Sequence, residues 1–205
     1  MSFLKRILLI TCYPVDCMQI VKREKKFPVW QTVLLYLIAF VSDYVYGYTV
    51  HFPLAAKSRE SISLVLEFAI LTVPLLSWVI CSYAMTALID GESTFKEQLT
   101  VSGYCTVPYT AFTLISIIVS QFLSSEETGF FMCIRYAGLL WMIILLFVSL
   151  VVLNDYTISK AFGITLLSLF AIVGMWAVFL LLYALTVQLF SLIFNLIEEI
   201  RFKFI

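Results

Sequence analysis

Five runs of the chain, 29–50, 62–89, 104–123, 130–153 and 161–188, are almost unbroken in apolar residues. Each reaches the length of about 20 residues that a helix, rising about 1.5 Å per residue, needs to cross a hydrocarbon layer roughly 30 Å thick. In lipid only helices and closed barrels satisfy the backbone internally, and the runs lack the period-two alternation of a barrel strand. The expected fold is therefore all-α, a polytopic membrane protein with five transmembrane helices. Composition agrees: 62% of the 205 residues are apolar and the mean hydropathy is +1.04, against about 45 to 50% apolar in soluble domains.

Thirteen basic and thirteen acidic residues cancel, which removes the electrostatic footprint of a nucleic-acid binder. Their distribution still orients the chain. Lys5, Arg6, Lys22, Arg23, Lys25 and Lys26 precede the first run; with Lys96 and Lys160 they place eight cations on one side of the membrane. Lys57, Arg59, Arg135, Arg201 and Lys203 place five on the other. The positive-inside rule then expects a cytoplasmic N-terminus and, after five crossings, a C-terminus on the opposite face.

Cys12, Cys17, Cys81, Cys105 and Cys133 share no spacing that reads as a disulfide framework, and a single histidine argues against a His/Cys zinc site. No metal or cofactor is expected. The first residues pair Lys5 and Arg6 with a short apolar run, but Pro14 and Asp16 interrupt it and no small-x-small cleavage site follows. Phe3, Ile7 and Ile10 recur at helical spacing, which suits a short helix lying in the interface. Pro74 and Pro108 fall inside the second and third runs and are expected to kink them. The last run stays apolar beyond one crossing, so it is expected to tilt or to bend along the surface. Five spans do not divide into equal inverted halves, which lowers the case for a stand-alone carrier.

Between the second and third runs stands a patterned polar insert, Asp90-Gly-Glu-Ser-Thr-Phe-Lys-Glu-Gln-Leu-Thr-Val-Ser-Gly103. Thr94 and Glu97 have capping-box spacing, which starts a short helix at Phe95. Phe95 and Leu99 share one face of that helix, while Asp90, Glu92, Lys96 and Glu97 stay wet. Two readings are open: a docking element for a partner, or a structural turn packed against the basic segment 22–26.

Asp43 and Glu67 are carboxylates within the runs, where ionised groups are costly. They sit at wet helix ends or share a small polar cavity with His51. Tyr44, Tyr46 and Tyr48 read as an aromatic belt. The chain has no His-Glu-x-x-His, no Gly-x-Ser-x-Gly and no phosphate-binding glycine loop. An Asp43/Glu67 acid–base pair is the one conceivable catalytic arrangement, and no enzyme activity is expected.

Several of these elements occur in a familiar order. Pro14-x-Asp16 with Lys22 and Glu24 precedes the first run; Asp90-Gly91-Glu92-x-Thr-Phe95-Lys96 follows the second; Gly103-Tyr104 and Pro108-Tyr109 open the third. The chain resembles the Yip family, five-span membrane proteins named for interaction with Ypt/Rab GTPases, and in particular its bacterial branch. It carries Cys17 and Ser93 where bacterial members often have glycine, and about 28 residues precede the first span, where eukaryotic relatives carry a long cytosolic region.

The resemblance implies a non-enzymatic accessory or scaffolding protein of a bacterial plasma membrane. Its eukaryotic relatives act in membrane trafficking; for the bacterial branch the implied partner is another membrane protein, with the permease of a solute-importing ABC transporter as a candidate, or a second copy of the chain, all within membrane lipid. Three parts are expected: a cytoplasmic or interfacial segment 1–28, a five-span domain 29–197 and a short polar tail 198–205. Candidate contact residues are Pro14, Asp16, Lys22, Glu24, Asp90, Gly91, Glu92, Phe95, Lys96 and Leu99. A transport component or channel-like oligomer using the intramembrane carboxylates Asp43 and Glu67, in a candidate polar site with His51, is the alternative, and a membrane-trafficking factor, if the source is eukaryotic, a further one.

Overall fold

A computed structural model describes residues 10–11, 13–24, 29–50, 63–123 and 125–203. Six α-helices follow in order among them: α1 (Pro14–Glu24), α2 (Val29–Thr49), α3 (Leu64–Leu88), α4 (Phe95–Val119), α5 (Thr128–Asn154) and α6 (Ile158–Lys203). The last five are long and apolar enough to cross a membrane, so the fold is an all-α, five-span bundle. Pro74 and Pro108 both lie inside helices that run on past them.

The helix α4 is the centre of the bundle. In its most apolar stretch 61% of residues are buried, against 28% for α2 and α3 and 11% for α6. It is also the most polar span, and each hydroxyl must find a partner without water. Thr106 donates to Gly103 O at 2.7 Å, Thr110 to Thr106 O at 2.9 Å, Thr113 to Tyr109 O at 3.0 Å and Ser116 to Phe112 O at 2.9 Å. Bonding back to the preceding turn makes these residues tolerable inside the bundle. Small residues do the rest: a Cβ added at Gly103 would stand 2.7 Å from Thr32 Cγ2 and 3.3 Å from Thr32 Cα. Only glycine lets α2 approach this closely. Tyr36 and Ser102 share a hydrogen bond of 2.7 Å across the same contact, and Tyr104 donates to Gln31 at 3.2 Å.

Two sequence expectations change here. The third helix begins at Phe95, not at 104, so residues 95–103 are its first turns and not a loop. Thr94 does cap that start, but the helix is 25 residues long instead of short. The interfacial helix expected from Phe3, Ile7 and Ile10 falls mostly outside the described residues, and α1 is a separate helix that follows it. Cys17, Met18 and Val21 of α1, and Ile10 before it, are buried in the same core as Leu35, Leu75, Val101, Tyr104, Leu145 and Leu153; Phe3 and Ile7 lie outside the described residues. Finally, the last helix continues unbroken to Lys203, 46 residues in all.

Candidate functional site

The segment between α3 and α4 reverses the chain in six residues. As α3 ends, Ile89 N–H donates to Thr86 O at 3.1 Å and Gly91 N–H to the same oxygen at 2.8 Å. Asp90 between them takes the left-handed conformation, φ 52°, which the short polar Asx side chain tolerates better than most. Four residues on, the capping box closes: Thr94 N–H donates to Glu97 Oε2 at 2.8 Å and Glu97 N–H to Thr94 Oγ1 at 3.4 Å. Two orphan donors of α4 are thereby satisfied by one short motif.

This reversal is docked on the turn between α5 and α6. Ser93 N–H donates to Asn154 Oδ1 at 3.1 Å, while Asn154 Nδ2 donates to Leu150 O at 3.2 Å. Tyr156 donates to Ile89 O at 3.3 Å, and the ammonium of Lys160 stands 4.4 Å over the Tyr156 ring. Gln98, 6% exposed, completes the polar interior. Its amide nitrogen donates to Thr86 at 3.1 Å and to Ser93 at 2.8 Å, and its oxygen accepts from Ser82 at 3.1 Å. A buried amide with three partners is close to saturated, and losing one would strand the others.

Lys22 of α1 ties the assembly together, 3.2 Å from Glu92 and in direct contact with Asp155. Partial burial works to lower its pKa, but the bonds to Asp155 and Glu92 prevail and raise it above the ordinary 10.5. Such a half-exposed pair contributes about 1 kcal/mol or less. Burying Met18 and Val21 contributes about 1.5 to 3 kcal/mol each. Apolar burial holds α1 down, and the lysine fixes where its end lies. Because the folded pKa is raised, the contribution of Lys22 is complete below pH 10.5 and fades as pH climbs through the higher folded value. Lys22→Ala is therefore expected to speed thiol labelling of Cys17, buried under α1, several-fold at pH 7. The native protein should show that gain, relative to free cysteine, only above pH 10.5. Equal labelling of variant and native at pH 7 would remove the clamp.

The other singled-out residues distribute as follows. Pro14 opens α1, where its missing N–H costs nothing, and Asp16 in the first turn is exposed. Glu24 closes α1, its side chain outside the described residues. Phe95 packs edge-on against Tyr83, ring centroids 5.6 Å apart, and remains 38% exposed. Lys96 is exposed and Leu99 half-buried. Gln98, Asn154, Asp155 and Tyr156 were not singled out from the sequence. The one signal for the last three is a polar Asn-Asp ending a 27-residue apolar helix. Burial first, then Asp90 and Glu92, raise the pKa of Tyr156, so its phenol stays neutral and serves as a donor. Nothing in this arrangement presents an activated nucleophile; it joins chain segments and displays charge.

The second polar centre lies inside the bundle. Asp43, 8% exposed, accepts from the Tyr109 hydroxyl at 2.8 and 2.9 Å and pairs with Arg135 at 3.5 Å. The guanidinium of Arg135 lies 3.9 Å over the Tyr46 ring, and that ring stacks on Phe131. The wet-end reading thus fails for Asp43: a carboxylate this deep is kept by a cation and a phenol. Glu67 is half-buried in the first turn of α3, and His51 lies outside the described residues.

A family model described as Yip1 domain matches residues 10–181. The match takes in α1, both polar centres and the first half of α6. No curated protein and no solved structure matches the chain.

Proposed function

The chain belongs to the Yip1 domain family, and on that premise we propose that it is a non-enzymatic scaffold or accessory subunit that holds another integral membrane protein against the α1 end of its bundle. The contact face consists of the outer side of α1 and the 90–99 segment, on the cytoplasmic side by the distribution of basic residues. The partner is a multispan membrane protein, with a permease of the solute-importing ABC class as the candidate that the bacterial-branch resemblance brings. The observation that carries the reading is Lys22 reaching both Glu92 and Asp155. Three segments remote in sequence are fixed into one polar face, and a preformed face loses little freedom on binding. Around that clamp Tyr13, Asp16, Arg23 and Lys96 are exposed. The Asp43–Arg135 pair supports an internal brace over a transport pathway, since the carboxylate is already neutralised.

Purification of the native protein in mild detergent is expected to recover a membrane partner in stoichiometric amount. Combining Asp16→Lys with Lys96→Glu, both exposed, should cut that recovery at least tenfold with helicity unchanged. A native preparation free of any partner, or equal recovery from the variant, would overturn the proposal.

A further inference from the structure

The helix α6 is too long for one crossing. Its apolar part, Ile158–Asn195, has 38 residues and extends about 57 Å, so a straight crossing of a layer roughly 30 Å thick would need a tilt of about 58°, beyond the 0–40° that membrane helices show. The bundle covers only the near half, where Ala161, Ile164 and Ser168 are buried. From 176 to 195 every residue is exposed. The family match stops at 181, so most of the arm lies beyond the matched residues.

The arm is not uniformly apolar. Ala177, Leu181, Ala184, Gln188, Ser191 and Asn195 recur at alternating intervals of four and three, the spacing of a seam between two helices crossing at a shallow angle. This line holds the arm's amides and two of its alanines, while Phe179, Leu182, Phe190 and Ile193 lie off it. The hydroxyl of Thr186, also off the line, is satisfied by Leu182 O at 2.8 Å. Among the described residues Gln188, Ser191 and Asn195 have no hydrogen-bond partner. The flanks are too apolar for water, and unpaired amides are unfavourable in lipid. Such a segment also lacks the basic polar face and low net hydrophobicity of a helix that lies in the interface.

We infer that the arm is a self-association element, in which the Ala184–Gln188–Ser191–Asn195 line of one chain packs against the same line of a second copy. Self-pairing follows from the chemistry. An amide both donates and accepts, so it complements itself, and copies inserted with one topology run parallel, bringing each residue to its own counterpart. The alanines let the backbones approach and the amides fix the register. This inference stands apart from the partner proposed above, which uses the other end of the bundle.

The test is oxidative cross-linking of the full-length protein in membranes, with Cys133→Ser as the background. Gln188→Cys, Ser191→Cys and Asn195→Cys are each expected to give at least five times more disulfide-linked dimer than Phe190→Cys or Ile193→Cys. Adding Gln188→Leu with Asn195→Leu should lower the Ser191→Cys product several-fold. Even cross-linking at all five positions, no dimer at any, or a product with the mass of a different protein would overturn the inference.

Discussion

Gly91→Ala is expected to destabilise the bundle by about 2 to 3 kcal/mol, the cost of forcing a methyl into a filled site. A Cβ there would stand 2.8 Å from Thr86 O, 2.8 Å from the Tyr156 hydroxyl and 2.9 Å from Asn154 Oδ1. None of the three can retreat freely. Thr86 O is main chain and accepts from Gly91 itself; Tyr156 is bound to Ile89 O, and Asn154 is held through Ser93 and Leu150. The methyl therefore separates the 90–94 segment from the α5–α6 turn. A fall in unfolding midpoint in detergent micelles reads this out. Gly163→Ala is the matched control: nothing lies within 4 Å of its added Cβ, and relief of a helical glycine should leave it neutral or up to about 1 kcal/mol more stable.

The second large effect belongs to the intramembrane pair. Arg135→Ala leaves the Asp43 carboxylate without its cation, and Asp43→Ala leaves a guanidinium without that anion. Each is expected to cost about 3 kcal/mol, the penalty of an uncompensated buried charge. Removing both charges, as Asp43→Ala with Arg135→Ala, should cost clearly less than the two losses added, because no charge is then stranded. A double-mutant cycle on unfolding in micelles measures this. Simple additivity would mean that the two groups act independently.

Much of the architecture is legible in the chain because membrane helices announce themselves by run length. Thr94 and Glu97 likewise mark the start of α4 by a local rule that tertiary context did not override. The same segment also misleads. Gln98, Thr100 and Ser102 look like a hydrophilic connector, yet they are buried turns of the central helix. Thr100 and Ser102 bond back to Lys96 O and Leu99 O, and Gln98 is satisfied by Ser82, Thr86 and Ser93. Hydropathy sees their polarity and not those partners.

The polar centres were legible only in part. Asp43 stands out as a carboxylate in an apolar run, but Tyr109 and Arg135 lie 66 and 92 residues away, and no local pattern joins them. Lys22 reads as one more flanking cation until Asp155, 133 residues on, is brought beside it. The Asp90-Gly91 pair signals a turn; that the turn is docked, with no room for one methyl, depends on Asn154 and Tyr156. Helix α6 shows a further limit, since apolar run length sets no end to a helix once a crossing is complete.

Amide hydrogen exchange across 90–98 in micelles tests most directly whether this segment is a docked part of the bundle. The Gly91 and Ser93 amides, bonded to Thr86 O and Asn154 Oδ1, are expected to exchange at least a hundredfold more slowly than a free chain and to lose that protection together in Gly91→Ala. Exchange at free-chain rates in the native protein would contradict a docked segment and the preformed face built on it.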